Sequence, residues 1–322
     1  MSGARSEARS GARAGTRGIG PFPPGKVLLA TDGSEDAALA ARAAVDIAKG
    51  AGSELHVAHF LQTVPTTRFE AFVRSRLLLE ARELLEAQEA LLGKAGAEVA
   101  GAHLGEGPAV DGVLDLAGEI GADLVIVGSR GCGPVKRLSL GSVSEGVVHH
   151  AGCPVLVLRG GRDAWPPRRV VIGDDGSEEA LEAASLALGI GGLFGAGGLL
   201  IRAYPDLPEA DLEGRALDAR MVDDELRREE RKLEERARRL EENPGVRSRV
   251  RIDVGDPAAR LLGAAEERHE GERTLLAVGS RGLGPVGRAR LGSVSTKVLR
   301  AAKGPVLICP GPRDSGSEES QG

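Results

Sequence analysis

The pattern Gly128-x-x-Gly131, nine residues, then Gly141-Ser142 occurs twice in this 322-residue chain. Its second copy, Gly279-x-x-Gly282 followed by Gly292-Ser293, keeps the same spacing. These residue types suit anion recognition. A glycine at the end of a strand lets backbone N–H groups approach a phosphate with no Cβ in the way. A Gly-Ser pair opening a helix offers unpaired N–H groups, a partial positive charge and a hydroxyl. The first copy also reads as a capping box, Ser142-Val143-Ser144-Glu145, which starts a helix without any ligand. The second copy has Thr296 in place of Glu145 and still keeps the Gly-Ser, and capping alone does not require glycines at a constant offset.

Asp32 and Asp175 each close a short aliphatic run and open an Asp-Gly-Ser turn. A carboxylate there suits a ribose hydroxyl or a phosphate-bound metal, or else an Asx turn that caps the next helix. Asp174 stands where the first copy has Thr31. Arg130 and Arg281 lie inside the glycine pattern, and Lys136, Arg137, Arg288 and Arg290 fill the loop behind it, free to serve a phosphate or solvent. Turnover would need a positioned base and a metal clamp. The histidines do not supply them: His149 and His150 correspond to Arg300 and Ala301 in the second copy, while His56 and His59 stand on or beside a strand. The pattern therefore reads as binding rather than catalysis. Cys132 is a redox switch beside the phosphates or a filler residue, its counterpart being Leu283; Cys309 falls on a buried strand.

Such residues need a frame. Asp175 follows Asp32 by 143 residues, and Gly279, Gly292 and Pro305 follow Gly128, Gly141 and Pro154 by 151, so the chain is a tandem duplication. Strands are predicted at 26–30, 54–60, 99–103, 124–128 and 155–158, and again at 169–173, 199–203, 248–254, 275–279 and 306–309. They are short and aliphatic without strict alternation, the mark of parallel strands buried on both faces. Helical stretches alternate with them. The expectation is an α/β chain of two tandem doubly wound domains, each a five-stranded, Rossmann-like parallel sheet. Ligands then belong at the carboxyl ends of strands one and four, across the switch point. The boundaries expected are a disordered tail at 1–25, domains at 26–160 and 168–311 joined by a linker at 161–167, and a second tail at 312–322. The stretch 213–242, dense in Glu and Arg, is either one long amphipathic helix or, from the spacing of Leu226, Leu233 and Leu240, a short coiled-coil seam.

Composition narrows the partners. Hydrophobic residues are 41%, charged residues 28% and aromatics 2%, with a net charge of −5. Few aromatics and a negative balance argue against nucleic acid, and no apolar run is long enough to span a membrane. Three scattered cysteines, Cys132, Cys153 and Cys309, fit a reducing cytoplasm. The basic start of the chain, with Arg5, Arg9, Arg13 and Arg17, has no apolar segment of a secretory signal. It is a disordered extension or a weak anion-binding arm.

With an aliphatic strand ending in Asp-Gly-Ser, Gly107-Pro108 and Gly255-Asp256-Pro257 segments, and G-x2-G-x9-G-S in both halves, the chain resembles the universal stress protein family from Lys26 to Pro310. It is similar to tandem members of the ATP-binding type. The resemblance implies a five-stranded parallel sheet, ATP held with Mg²⁺ at two sites, and a stress-response regulatory role with little or no turnover. It implies that Thr31, Asp32, Val57, Gly128, Arg130, Gly131, Gly141, Ser142, Val143 and Ser144 surround the first nucleotide, Val57 by backbone contacts to adenine. In the second half it implies Asp175, Ala203, Gly279, Arg281, Gly282, Gly292, Ser293, Val294 and Ser295, with Ala203 standing for Val57. The halves are expected to pair as a pseudo-dimer through their last strands, with a homodimer also open. A slow ATPase or phosphotransferase and a ligand-free interaction module are the alternatives. No P-loop GxxxxGK[ST] and no dinucleotide GxGxxG after either first strand are present.

Overall fold

The computed structural model describes residues 22–61, 68–131, 140–204, 219–242, 246–267, 273–280 and 291–311. In the first half these form β1 (Lys26–Ala30), α1 (Glu35–Ala51), β2 (Glu54–Leu61), α2 (Arg68–Lys94), β3 (Val99–Glu106), α3 (Ala109–Ile120), β4 (Leu124–Gly128), α4 (Ser142–His150) and β5 (Val155–Leu158). The second half repeats the order as β6 (Arg169–Gly173), α5 (Glu178–Gly192), β7 (Gly197–Tyr204), α6 (Ala219–Glu242), β8 (Ser248–Val254), α7 (Pro257–Glu266), β9 (Thr274–Gly279), α8 (Ser293–Ala301) and β10 (Val306–Cys309).

Each Asp-Gly-Ser turn works as a helix start. Ser34 and Ser177 are the N-caps of α1 and α5, and their hydroxyls accept from the N–H groups of Ala37 and Ala180. β5 and β10 are buried at every position, as expected of short strands covered on both faces. The strand order is β3-β2-β1-β4-β5-β10-β9-β6-β7-β8. Neighbours within each half are parallel, as are those of the second. β5 and β10 meet antiparallel, with Leu156 opposite Leu307. The chain reverses direction across the sheet between β1 and β4, and again between β6 and β9.

Two apolar layers sandwich the sheet, one bearing α1, α2, α5 and α6 and the other α3, α4, α7 and α8, and each runs through both halves. Trp165 is fully buried in the first layer, donates to Asp46 Oδ2 at 3.0 Å and packs edge-on against Phe194. The 161–167 stretch, expected to be a simple linker, therefore contributes to the core. Residues 22–25 also differ from the expected tail: Phe22 packs on this layer against Gly189, and Gly25 N donates to Asp123 Oδ2 at 2.8 Å. A ring that finds a side-chain-free slot on a helix holds this short segment in place. In α6, Leu233, Ala237 and Leu240 are buried while Met221 is 70% exposed. Their three- and four-residue spacing, against β8, is that of a helix lying on a sheet, so the amphipathic reading holds for the described residues.

Candidate functional site

A cavity of about 660 Å³ opens where β1 and β4 end. It is lined by Thr31, Asp32, Gly128, Arg130, Gly131, Gly141, Ser142, Val143 and Ser144, all singled out from the sequence. The rest of the wall was not: Ala30, Ala58, Phe60, Ala109, Val113 and Val127 form an apolar side beneath α3, and Ser34, Glu35, Asp36, Ala37 and His59 a polar rim. Volumes of roughly 300–1,000 Å³, mostly apolar with a few convergent polar groups, are typical of small-molecule sites.

Helix α4 begins at this cavity with Gly141 as its N-cap, in extended backbone and with no side chain capping it. The first-turn N–H groups, which have no partner within a helix, belong to Ser142, Val143 and Ser144 on the wall. The capping box expected from Ser142 and Glu145 is not formed, because Ser142 is already the first helical residue; Glu145 instead pairs with Arg300 at 2.7 Å. The Ser144 hydroxyl donates to Gly128 O and ties the helix start to the strand end. Val143 stays 37% exposed.

The two glycines of the pattern meet different neighbours. A Cβ on Gly128 would lie 2.7 Å from Ala37 N and from the Asp36 carbonyl carbon, so this glycine lets α1 approach β4. A Cβ on Gly131 would lie 2.3 Å from Asp32 Oδ2, so the second glycine makes room for the carboxylate. Asp32 Oδ1 accepts from Ser34 N at 3.1 Å, an Asx turn. Arg130 is drawn to Asp36, with Nε 3.1 Å from Oδ2, and Ser129 Oγ donates to the same oxygen at 2.6 Å. Sequence reasoning missed Asp36. The signal available was its place as the second residue of the helix that follows Asp32. His59 Nδ1 lies 2.8 Å from Thr31 O. A carbonyl oxygen only accepts, so Nδ1 carries the hydrogen and Nε2 is the nitrogen left for the rim.

Val57 does not reach the cavity. Its side chain is fully buried in the opposite layer, paired in register with Leu29 on one side and Ala102 on the other; the backbone contact that the resemblance implies does not depend on that direction. β2 contributes Ala58, His59 and Phe60 instead, because they lie at and beyond the level where β1 ends.

The second half keeps the frame. Gly292 N donates to Ser280 O as Gly141 N does to Ser129 O, and Ser295 Oγ donates to Gly279 O at 2.6 Å. Gly292 is again an N-cap without a side-chain cap, Ser293 is exposed, and Val294 packs on the core. Asp175 Oδ1 accepts from Ser177 N and forms the same Asx turn. Arg281 and Gly282, like Cys132, Lys136, Arg137, Arg288 and Arg290, lie outside the described residues. The register corrects one equivalence: Leu29 pairs with Val57 and Ile172 with Leu200, so Leu200 and not Ala203 matches Val57. Ala203 matches Phe60, and Arg202 matches His59.

Arg202 belongs to a buried ion network that the sequence did not reveal. The buried Asp174 carboxylate receives Arg202 on Oδ1, and Arg236 Nε on Oδ2 at 2.7 Å. Arg202 Nη1 reaches Glu229 Oε2 at 2.7 Å, and Tyr204 OH donates to that oxygen at 2.6 Å. Burial opposes the Arg202 charge, but bonding to Asp174 outweighs it and the pKa is raised. The Glu229 pKa falls to about 2, through Lys232 first and then Tyr204. The Tyr204 pKa rises to about 12 from burial, reinforced by Glu229. Among the described residues, no group of three or more His, Cys, Asp or Glu side chains is placed to hold a metal.

A family model described as "Universal stress protein family" matches residues 24–159 and 167–310. The chain is similar to two universal stress proteins of Mycobacterium tuberculosis. One is 34% identical over 190 residues, 58% of this chain and 61% of that relative's length. The other is 31% identical over 259 residues, 76% of this chain and 77% of the relative. A solved universal stress protein from Archaeoglobus fulgidus DSM 4304 shares the fold, with a TM-score of 0.63 and 24% identity over 90% of this chain and 99% of that one.

Proposed function

The chain belongs to the universal stress protein family, and on that premise we propose that its first half binds ATP with Mg²⁺ as a regulatory ligand, held rather than turned over. The observation that carries this reading is the cavity at the β1–β4 switch point, closed at one end by the uncapped start of α4. Residues and ligand fit each other chemically. The N–H groups of Ser142, Val143 and Ser144 suit phosphate oxygens, aided by the helix dipole. Asp32 suits a ribose hydroxyl, and Ala30, Ala58, Val113 and Val127 give a base an apolar wall. Magnesium takes few protein ligands when phosphates supply oxygens, in keeping with a site that offers scattered carboxylates. A cytoplasmic setting and a partner that reads the nucleotide-bound surface complete the proposal.

At the rim, Asp36 supports holding over turnover. His59 is tied to Thr31 O through Nδ1, and Asp36 is occupied by Arg130 and Ser129. Asp36 is thus engaged within the protein, while His59 keeps Nε2 toward the rim, so slow hydrolysis is the outcome that the experiment has to separate from holding.

The test is to heat-denature freshly purified protein, identify released nucleotide by chromatography, and titrate exchanged protein with MgATP. Released ATP, or saturable MgATP binding, is the expected result. The absence of both would overturn the reading, and ADP alone would replace holding by slow hydrolysis.

A further inference from the structure

The second half repeats the glycine pattern, yet the register-matched positions around it hold different chemistry. At the end of β6 the residue matching Ala30 is Gly173. A Cβ there would lie 2.8 Å from Leu261 Cδ1 and 3.1 Å from Val278 Cγ1. Leu261 thus reaches into the volume that the Ala30 methyl fills in the first half. Leu261 matches Val113, because Gly107 and Gly255 both donate to the last carbonyl of the preceding strand, Leu61 O and Tyr204 O. On β7 the partner of Gly173 is Ile201, where β2 offers Ala58 to Ala30. Ile201 and Leu261 are buried to 1% and 2% exposure in the core layer. On the matched wall, Ala58 and Val113 become the larger Ile201 and Leu261, while Ala30 and Phe60 become the smaller Gly173 and Ala203, so the wall is reshaped and Ile201 is where it gains bulk.

The polar rim is changed in the same sense. Thr31 and His59 become Asp174 and Arg202, and the pair is clamped from α6. Arg236 reaches Asp174 Oδ2, donates to Ser177 O at 2.6 Å and to Gly176 O at 3.3 Å. In the first half, Leu84 of α2 sits at the corresponding glycine, Gly33. A helix that packs on the Asp-Gly-Ser turn through an apolar side chain in one half is locked to it by ions in the other. Every charge in the lock has an internal partner, so none is left to answer a ligand.

From this we infer that the second half has exchanged its ligand for an internal plug, apolar at Ile201 and ionic at Asp174–Arg202–Arg236. The chain then holds one nucleotide, in the first half, although the glycine pattern is duplicated. The inference rests on the nucleotide reading of the first half and can fail separately from it.

Native mass spectrometry of the full chain saturated with MgATP counts the ligands. One ATP per chain is expected for the wild type and none for Gly131→Val, whose added side chain meets Asp32. Two per chain would overturn the plug and leave the first-half reading intact. One retained in Gly131→Val would also overturn it, by placing the ligand in the second half. No binding to the wild type would overturn the nucleotide reading and the inference together. Hydrogen exchange on the wild type gives the same answer without a variant. ATP is expected to slow exchange at residues 31–37, 128–131 and 141–145; slowing at 174–177, 201–204 and 292–296 would overturn the plug.

Discussion

Gly128 and Gly131 stand three residues apart in one pattern and answer to different needs. Gly128 admits the backbone of α1, while Gly131 faces the Asp32 carboxylate. A motif spacing alone does not separate the glycine that serves packing from the one that serves a ligand. The histidines sort in the same way. His59 lines the cavity, whereas His56 is hydrogen-bonded to His103 at 3.1 Å, ring stacked on ring, on the same face of β2 and β3. His56 Nε2 is buried and has no hydrogen-bond partner. Its pKa is lowered by burial first and by His103 second, against the opposing pull of Glu54. A lowered folded-state pKa means the unfolded chain takes up the proton first as pH falls below the ordinary 6.5. Stability is expected to drop from about that pH downward, and His56→Gln to flatten the drop. Urea melts of both proteins at neutral and mildly acidic pH would check this; an equal loss in the variant would refute it.

At the scale of elements, the contrast is between two ways of docking a helix over the same turn. Leu84 on α2 does it by contact, and Arg236 on α6 by charge. The ionic version is fragile to half-removal. Truncating one member of a buried pair costs about 3–5 kcal/mol, because the other charge is left without compensation. Asp174→Ala leaves Arg236 without its carboxylate and Arg202 with Glu229 alone, and is expected to fall at the lower end of that range. Thr31→Ala loses one long hydrogen bond from Gly33 N, at 3.4 Å, and is expected to cost about 1 kcal/mol or less. Chemical denaturation of the two variants side by side decides it, and equal losses would show that the network does not hold α6.

For the whole molecule, the seam matters more than the repeat. β5 and β10 join the halves into one ten-stranded sheet, and both apolar layers cross it without a break. Arg159, buried at the seam, donates to Leu299 O at 2.6 Å near the end of α8, and burial lowers its pKa. Trp165 locks the connecting segment to α1. A continuous core unfolds as a unit more readily than two that merely touch. Trp165 fluorescence, which reports the seam, and far-UV circular dichroism are therefore expected to give coincident unfolding curves. A seam that melts before the bulk of the helices would show two independent domains.

The amino-acid sequence by itself determined the tandem repeat, the ten strands, the position of the switch points and the residues at the strand ends. Each of these is written in local pattern: short aliphatic runs, Asp-Gly-Ser turns, glycines at constant spacing. Nine of the first-half residues singled out meet at one cavity for that reason. What only the tertiary structure decided is everything that depends on register or on contacts far apart in the chain. Val57 turns its side chain to the layer away from the cavity, and Ala203 is three residues from its assumed match, the latter because the glycine-rich approach to β7 gives no local sign of where pairing begins. Ser129 with Asp36 spans 93 residues and Arg236 with Asp174 spans 62. No periodicity links such pairs. Two helices and a strand end have to pack before a buried carboxylate has its arginine, so the same glycine pattern came to stand by a cavity in one half and by a buried ion network in the other.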